Sequence, residues 1–429
     1  MKDADSSSLQ PKPGALSVLR NRNFARLFSA GATSTAGFAI GQVALTWVVW
    51  SNTKSPIDVA YIGVSFILAS VIFSLAAGAL VDRHERRKLM VLSDLARAVT
   101  LGALAAFLAV FGFTLPAILV AAFLLGSFST LFQPAERALT PEVVGNDQIA
   151  HANALVQTSN SMIQFASNTA GAGIIALAGV IAAFGLNTLT FLVSATLISG
   201  IVGFSGTKGT TRSGASENRP SMAEDIREGF SYIARNRALL ELTLSAGIGN
   251  FFLSMVFQFF VVYASVMLGG GVVVYGAVNG LFALGWAPGA FLSVRFRTVR
   301  FAGKVWILAG VLDGACVIAL VAVPYLIPAL FFSFTLGLLL GLTNTTWLTA
   351  VQLIVPTDMQ GRYFGLDQLG SFAVIPVGQV LGGVIIAAAS LNLDFVIAGI
   401  GTAASSGLFF FSPSLRNLGW KEHASSAET

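Results

Sequence analysis

The feature of this sequence that most constrains its fold is a succession of about 12 apolar stretches, each long enough to cross a bilayer as a helix. A membrane helix needs about 20 mostly apolar residues, and such stretches follow one another from residue 24 to residue 412. Only 10% of the 429 residues are charged, and the mean hydropathy is +0.77. Because a soluble protein carries about 25% charged residues, the composition excludes a soluble globular protein.

The apolar stretches predict an all-α membrane protein with 12 transmembrane helices. Val272 to Ala290 and similar runs lack the period-2 alternation of membrane strands, which argues against a barrel. Cys316 is the single cysteine, so no internal disulfide is expected. The predicted spans are 24–50, 57–81, 89–112, 115–136, 152–177, 181–204, 238–267, 272–295, 304–325, 327–350, 364–389 and 393–412.

The basic residues predict the orientation of these spans, because cytoplasmic loops carry an excess of Lys and Arg. If both termini are cytoplasmic, 24 of the 25 Lys and Arg residues fall on the inner side and only Lys54 lies outside. We therefore predict a multi-pass protein of the cell (inner or plasma) membrane with both termini in the cytoplasm. The net charge of +5 then reflects topology, and no nucleic-acid partner is expected because the bilayer keeps the basic loops apart.

The chain divides into two similar halves. Tyr61 and Arg83 are separated by 22 residues, and so are Tyr275 and Arg297, while Pro141 and Pro356 follow the fourth and tenth spans, 215 residues apart. Together these matches favour a duplication of six helices. The polar, Gly- and Ser-rich segment 205–220 has the composition of a flexible linker. The predicted organisation is a cytoplasmic tail 1–23, an N-terminal six-helix bundle 24–204, a linker with an amphipathic helix 205–237, a C-terminal six-helix bundle 238–412 and a cytoplasmic tail 413–429.

The strongest local motif is GALVDRHERRK at residues 78–88, between the second and third spans. A carboxylate at a helix end can pair with a base or with a neighbouring helix N-terminus, and such a pair can break and reform as helices tilt. Simple anchoring by positive charges would also explain the bases. The motif resembles the Gly-x-x-x-Asp-Arg-x-Gly-Arg-Arg pattern of the major facilitator superfamily. The matching residues are Gly78, Asp82, Arg83, Arg86 and Arg87, whereas Glu85 replaces the second glycine.

Further stretches resemble the branch of that superfamily that contains macrolide exporters and the enterobactin exporter. They are residues 93–97, 132–141, 152–155 and 352–365. The resemblance implies two six-helix bundles around a central cavity that opens alternately to each side. It also implies export of small, often amphipathic compounds driven by the proton gradient. The family's glycine-proline antiporter signature in the fifth helix is not kept, because residues 167–171 contain no proline.

Acidic residues inside the membrane are candidates for proton coupling, because low dielectric favours the neutral carboxyl group. Asp313 lies near the centre of a predicted span, and a hydrogen-bonded packing role is the alternative reading. Charged residues close to the basic loops are expected to act as gates or structural ion pairs. These further candidates are Asp82, Arg83, Asp94, Arg97, Glu136, Arg137 and Glu241.

The resemblance places spans 1, 4, 7 and 10 around the cavity, so their polar and aromatic residues are the substrate-binding candidates. An aromatic wall with a few amides and no central charge suits a bulky apolar or amphipathic compound. Ordinary helix packing is the alternative for each residue. The candidates are Gln42, Trp47, Gln133, Asn250, Phe251, Phe257, Gln258, Tyr263, Asn344 and Trp347.

Other classes of membrane protein lack support in the sequence. The histidines, His84, His151 and His423, are far apart and form no HExxH motif, and no phosphate-binding Gly-x-x-x-x-Gly-Lys loop is present. We expect no cofactor, no bound metal and no enzymatic activity. The sequence predicts a monomeric secondary transporter, most consistent with an exporter, whose partners are lipids, a small-molecule substrate and protons. An importer or facilitator is the alternative, followed by a polytopic membrane enzyme.

Overall fold

The computed structural model describes residues 15–145, 148–202, 230–296, 302–355, 363, 366–367 and 370–412. The predicted linker 205–220, most of the predicted amphipathic helix 221–236 and the tail 413–429 lie outside these residues. Within the described part of the chain the regular structure is helical throughout, which confirms the predicted all-α class.

Twelve membrane helices, α1 to α12, follow one another along the chain. The first four are α1 (Arg22–Thr53), α2 (Pro56–Arg83), α3 (Arg86–Phe111) and α4 (Leu115–Val144). The helical stretch Ile149–Ser199 contains α5 (149–178) and α6 (180–199). The others are α7 (Arg237–Phe257), α8 (Val272–Phe296), α9 (Ala302–Ala322), α10 (Leu326–Ile354), α11 (Ile375–Ala388) and α12 (Leu391–Gly407). Beyond Phe257, α7 continues through the short turns Phe260–Val262 and Tyr263–Met267.

Gly179 separates α5 from α6. Its backbone has φ 83° and ψ 172°, a conformation that glycine adopts at little cost because it lacks a Cβ atom. A continuous helix of this length would measure about 75 Å, well beyond a hydrocarbon core of about 30 Å. If Ile149–Ser199 is counted as one helix, the described part of the chain has eleven helices of membrane-spanning length and composition. The break at Gly179 divides this helix in two, so the number becomes twelve, which confirms the prediction.

The helices alternate in direction, which defines two sides of the molecule. Arg22, Arg86 and Arg237 begin α1, α3 and α7 on one side, which we call the basic side. Lys54 ends α1 on the other, which we call the opposite side. Polar side chains cap the first turn of several helices: Ser55 accepts a hydrogen bond from the Asp58 amide at 3.2 Å at the start of α2, satisfying a backbone donor that has no partner within the helix.

The packing pattern of the first six helices is repeated in the last six. In the N-terminal bundle α2 packs on α4, and in the C-terminal bundle the equivalent α8 packs on α10. The pairs α3–α6 and α9–α12 correspond in the same way. The two bundles meet along α2–α11 and α5–α8, which are again equivalent pairs. This arrangement agrees with the predicted pair of pseudo-symmetric six-helix bundles.

Four glycines bring α8 and α10 into backbone contact. Gly285 and Gly289 are spaced four residues apart on α8, as are Gly337 and Gly341 on α10. A Cβ atom on any of them would overlap a carbonyl oxygen of the partner helix, for example Leu338 O beside Gly289. The small residues therefore let the two backbones touch, which is the packing expected of glycine between membrane helices.

Candidate functional site

On the opposite side of the molecule the two bundles are in direct contact. Gly383 of α11 lies against the first turn of α2, where an added Cβ atom would be 3.2 Å from Pro56 O and 3.2 Å from the Ala60 side chain. A second contact joins α8 to α5, where a Cβ atom on Gly276 would lie 2.7 Å from Asn168 O. Both contacts lie in the half of the helices next to the opposite side, so the space between the bundles is closed there.

An amide bridge, formed by Gln258 and Gln379, reinforces this closure. Gln258 donates from Nε2 to the Val59 carbonyl oxygen of α2 at 2.6 Å, and its Oε1 accepts from Gln379 Nε2 of α11 at 3.3 Å. Gly63 of α2 leaves room for both amides, since a Cβ atom there would lie 2.6 Å from Gln379 Nε2. Gln258 occupies the irregular point where α7 ends at Phe257. The bridge therefore connects three helices from both bundles.

On the basic side, the described polar contacts of the first bundle stay within that bundle. Arg86 forms an ion pair with Glu142 and donates to Ala138 O at 3.0 Å. Arg87 donates to Ile201 O at 2.6 Å. The bases of the 78–88 motif thus tie α3 to the ends of α4 and α6. Asp82 and Arg83 occupy the last turn of α2, but their side chains lie outside what the structure describes.

Glu85 forms the turn of this motif without the glycine of the superfamily pattern. Its backbone is extended, with φ −63° and ψ 114°, so no left-handed conformation is required. Its carboxylate pairs with Lys88 Nζ at 2.8 Å and with Arg87 Nε at 3.2 Å. The hydrogen bond from Lys88 is the main cause that lowers the pKa of Glu85. At pH values above the ordinary pKa of a glutamate, the ion pair stabilises the turn, and this stabilisation is lost as the pH falls and Glu85 becomes protonated.

Two of the predicted cavity amides are exposed along the middle of their helices. Gln133 of α4 lies 11 residues before Val144, and Asn344 of α10 lies 10 residues before Ile354, which places both about 15 Å from the basic ends of their helices. An amide in contact with hydrocarbon would lack hydrogen-bond partners. The exposure of these amides is therefore consistent with a water-filled cavity that opens toward the basic side.

Half-buried aromatic side chains cluster beneath the closed end. Phe257 of α7 packs against Phe282 of α8 with 4.8 Å between ring centroids, and Phe282 contacts Trp286 at 6.4 Å. In the first bundle Phe38 of α1 contacts Phe66 of α2 at 5.6 Å. Of these rings the sequence analysis named only Phe257: Phe66, Phe282 and Trp286 lie on α2 and α8, which were not expected to line the cavity, and Phe38 on α1 was not selected.

The remaining cavity candidates fall into two groups. Gln42, Trp47 and Phe251 are half-buried, as a surface facing a cavity requires. Asn250, Tyr263 and Trp347 instead make contacts inside the C-terminal bundle. Asn250 donates to Ser371 O at 3.1 Å. Trp347 packs beside a buried cluster at the basic end of this bundle, formed by Ile233, Leu239, Val351, Val355 and Tyr363.

Tyr263 departs most clearly from its predicted place. Its side chain is fully buried, stacks on Phe395 of α12 with 5.6 Å between ring centroids, and donates to Leu320 O of α9 at 2.8 Å. It therefore faces α9 and α12 and not the space between the bundles. The prediction assumed a regular helix through 267, whereas the irregular residues after Phe257 change the direction in which later side chains point.

Asp94 and Arg97 form a buried ion pair in the first bundle. One oxygen of Asp94 pairs with Arg97 Nη2, and Ser34 of α1 donates to the same oxygen at 3.3 Å. The Arg97 guanidinium carbon lies 4.6 Å from the ring centroid of Phe132 and 4.5 Å from that of Phe191. The cation is thus held between two aromatic faces, an attractive arrangement when water is excluded. The predicted ion pair is present within α3.

Glu136 lies close to this pair but is not part of it. Its carboxylate sits against the α-carbon of Gly31 on α1 and forms no ion pair with the residues that the structure describes. The side chain is half-buried, whereas the neighbouring Arg137 is exposed. Of the two roles expected from the sequence, a gate or a structural ion pair, the second is not formed by Glu136 among the described residues.

The other acidic candidates lie in the second bundle. Glu241 pairs with Arg237 at 2.9 Å and accepts a hydrogen bond from Ser412, so it joins the start of α7 to the residues after α12. Asp313 of α9 is buried, and its Oδ1 has no hydrogen-bond partner among the described residues. The glycine at position 314, beside it, packs on Gly399 O of α12. Asp313 therefore lies at mid-height inside the bundle.

Sequence reasoning missed two polar residues that the structure brings to notable positions. Gln379 completes the amide bridge. Asp394 is fully buried in the first turn of α12, although its place at the start of a span resembled that of a loop acid. Asp94, Asp313 and Asp394 are all buried acids within helices, but Asp313 lies near the middle of its helix and Asp394 lies in a first turn.

The amide bridge leads to a direct prediction. Replacement Gln258→Leu removes a hydrogen-bonded bridge worth about 1 kcal/mol. The ratio of molecules that are open on the opposite side to molecules that are closed there is therefore expected to rise about fivefold. A cysteine at Ala60, placed in a Cys316→Ser background, would report this as faster labelling by a membrane-impermeant maleimide. Gln157→Leu, which removes an exposed amide of α5, is the control. Equal labelling rates for both variants would contradict the role of the bridge.

Comparison with known proteins agrees with this architecture. A family model described as transmembrane secretion effector, MFS_3, matches residues 13–428. The chain is 25% identical over 402 residues to the multidrug efflux pump Tap of Mycolicibacterium fortuitum, covering 91% of this chain and 95% of that one. It is 23% identical over 359 residues to the MFS-type transporter YfiS of Bacillus subtilis (strain 168), covering 83% and 84%.

A solved structure shows the same fold. A crystal structure of a mutant of the nucleoside transporter NupG superposes with a TM-score of 0.73 at 11% sequence identity, covering 90% of this chain and 99% of that chain. At this identity the likeness concerns the fold alone. Since the family model spans nearly the whole sequence and the relatives align along most of their length, the chain belongs to the transmembrane secretion effector family of the major facilitator superfamily and is a membrane transporter, not an enzyme.

Proposed function

We propose that this transporter exports small amphipathic or aromatic compounds from the cytoplasm by alternating access, in exchange for protons. The observation that carries the proposal is the one-sided closure of the central space. The Gln258–Gln379 bridge joins the two bundles near the opposite side, and Gln133 and Asn344 have exposed side chains in the half of their helices next to the basic side. If the basic side faces the cytoplasm, as the distribution of Lys and Arg predicts, this state is ready to accept a compound from inside the cell.

The lining supports a bulky apolar substrate. Phe257, Phe282 and Trp286 present half-buried rings from the second bundle, and Phe38 and Phe66 present rings from the first. Aromatic faces favour flat apolar groups, and a few amides provide orientation. The alignment with a protein named as a multidrug efflux pump supports the same substrate class and the outward direction.

Proton coupling is proposed to involve Glu136 together with the Asp94–Arg97 pair. Ionised Glu136 would attract Arg97, whereas a neutral Glu136 would leave Arg97 to Asp94 alone. Because Glu136 is half-buried and unpaired among the described residues, it can exchange a proton more readily than the enclosed Asp94. Asp313 is a second candidate on account of its burial and its unpartnered oxygen.

Energised inside-out membrane vesicles test the direction and the coupling together. An exporter is expected to accumulate an amphipathic fluorescent dye when the vesicle interior is acidified, and to lose it when the proton gradient is collapsed. Right-side-out vesicles energised in the opposite sense, with an acidic exterior, should exclude the dye. Accumulation in right-side-out vesicles alone would indicate import, and transport indifferent to the gradient would exclude proton exchange.

In the same assay Glu136→Gln is expected to abolish gradient-driven accumulation while leaving downhill movement of the dye intact, because a permanently neutral side chain cannot carry or release a proton. Glu142→Gln is the matched control. Glu142 lies on the same helix, but it is a partly exposed acid that pairs with Arg86 at the helix end. If both variants retain full gradient-driven accumulation, Glu136 is not the coupling acid, and Asp313→Asn becomes the next variant in the assay.

A further inference from the structure

We propose that Asp394 binds a proton when the opposite side is closed, and that loss of this proton opens that side. Asp394 lies in the first turn of α12 and has 0% exposed surface. Neither carboxylate oxygen has a hydrogen-bond partner among the described residues. The inference rests on the proposed proton coupling and extends it to an acid not named above as a coupling candidate, in the bundle that does not contain Glu136.

The surroundings of Asp394 are apolar. A Cβ atom on Gly382 of α11 would lie 3.1 Å from Asp394 Oδ1, 2.8 Å from the Phe259 ring and 3.2 Å from the α-carbon of Met255. An isolated charged carboxylate in such a place would cost several kcal/mol. A helix N-terminus stabilises a negative charge by about 0.3–1 kcal/mol at exposed positions, which is less than the cost of burying the charge. A neutral carboxylic acid is therefore the form that this geometry accommodates.

No neighbouring cation takes the place of the proton in the described part of the chain. Helix α12 packs on α7, α9 and α11, and α11 has no titratable side chain between 375 and 388. On α7, Arg237 pairs with Glu241, and Glu241 is about 21 Å along the helix from Met255. The Tyr263 ring stacks on Phe395, but its hydroxyl donates to Leu320 O.

The titratable groups of α9 are also remote from Asp394. Lys304 begins this helix at the basic side. Asp313 is next to Gly314, which packs on Gly399 O, and that level of α12 is at least about 8 Å from Asp394. Cys316 packs beside Leu339 and Leu342 of the α9–α10 contact. A bound metal cation would need several oxygen ligands, and glycine, phenylalanine and methionine side chains supply none.

The position of Asp394 connects it to the closed end. Gly382, which covers its carboxylate, is adjacent to Gly383, which packs on Pro56 and Ala60 of α2. Gln379 of the amide bridge lies one turn earlier on the same helix. At this level, therefore, mainly the backbone of α11 lies between the Asp394 carboxylate and the first bundle. An ionised Asp394 would require contact with water. Water can reach the carboxylate only if α12 and α11 separate, and this separation would displace α11 from its contact with α2.

The consequence is a pH-dependent opening with a defined sign. Raising the pH removes the proton and favours the open form, and one linked proton changes the ratio of open to closed molecules by up to about tenfold per pH unit. Spin labels at Leu177, 92% exposed at the end of α5, and Tyr325, 70% exposed before α10, report the separation of the bundles on the opposite side. The labels would be introduced as cysteines in a Cys316→Ser background and measured by double electron-electron resonance.

The wild-type background is expected to shift toward longer distances as the pH rises, whereas Asp394→Asn should keep the short distance throughout. Asp58→Asn is the matched control, because Asp58 is also a first-turn aspartate after a serine cap on the opposite side, yet it is only half-buried. It should retain the wild-type response. If Asp394→Asn does not accumulate, Asp394→Ser provides a smaller neutral side chain with the same expected result.

Infrared difference spectroscopy gives a readout independent of opening. The closed form should show the C=O stretch of a protonated carboxylic acid that Asp394→Asn lacks and Asp58→Asn retains. A wild-type distance that does not depend on pH, or an Asp394→Asn variant that keeps the response or the band, would overturn the inference. Gradient-driven dye transport by the wild type tests the proposed function separately, since it can succeed whichever result Asp394 gives.

Discussion

Replacement Arg97→Met is expected to destabilise the folded transporter by about 3–5 kcal/mol, the cost of breaking a buried ion pair by removing one partner. Arg97 is enclosed by Asp94 and by the rings of Phe132 and Phe191. Methionine keeps the apolar stem of arginine but lacks the guanidinium group, so it leaves the Asp94 carboxylate without its counter-charge. The measurement is thermal unfolding in detergent, together with the yield of monodisperse protein.

The double variant Asp94→Asn/Arg97→Met separates the loss of charge balance from the loss of packing. Replacing both members of a buried ion pair by neutral side chains is often close to neutral for stability, so most of the lost stability should return. Gradient-driven transport should not return, since the proposed coupling needs Arg97. If the double variant is as unstable as Arg97→Met, the loss comes from the contacts of the guanidinium with Phe132 and Phe191 and not from the unpaired acid.

The second large effect is expected at the contact between α8 and α10. In Gly289→Ala the added methyl group would overlap the Leu338 carbonyl oxygen. Because the obstructing atom belongs to a helix backbone, a side-chain rotation cannot relieve the overlap. Overpacking of this kind costs about 1–3 kcal/mol, and occasionally more. We expect Gly289→Ala to lie at the upper end of that range, and Gly289→Leu to prevent accumulation of a monodisperse protein.

Gly173→Ala on α5 is the matched control for this prediction. A Cβ atom at Gly173 would meet nothing within 4 Å, and alanine is the better helix former by about 0.5–1 kcal/mol. This variant should therefore melt at the wild-type temperature or above it. Equal melting temperatures for Gly289→Ala and Gly173→Ala would show that α8 and α10 can separate at little cost, contrary to the backbone contact described above.

Much of the fold could be predicted because each membrane span is a local property of the chain. A run such as Val272–Phe296 identifies a helix by its length and apolar character alone, without knowledge of its neighbours. The duplication was also visible, since Tyr61 and Tyr275 occupy equivalent positions in α2 and α8. The exact partners were not visible, because an apolar run does not specify which of eleven other helices covers it.

The candidate site was predicted less completely. Gln258 was selected as a polar residue of a cavity-lining helix, but its hydrogen bonds to Val59 and Gln379 depend on how α2, α7 and α11 come together. Glu136 was expected to act as a gate or to form a structural ion pair, and in the structure Arg97 is held by Asp94 within α3. The type of a residue indicated that it was a functional candidate. Its hydrogen-bond or ion-pair partner depends on contacts between helices that are far apart in the chain.

The sequence by itself determined that this chain lies in a membrane, that it crosses about 12 times, and that its two halves are related, because apolar length, basic residues and spacing are one-dimensional properties. Its motifs also indicated the superfamily. Only the tertiary structure decided which side of the molecule is closed and which acids are buried without partners. The physical reason is that closure at Gly383 and the isolation of Asp394 arise from the approach of α2, α11 and α12, and the energy of a buried charge depends on everything around it.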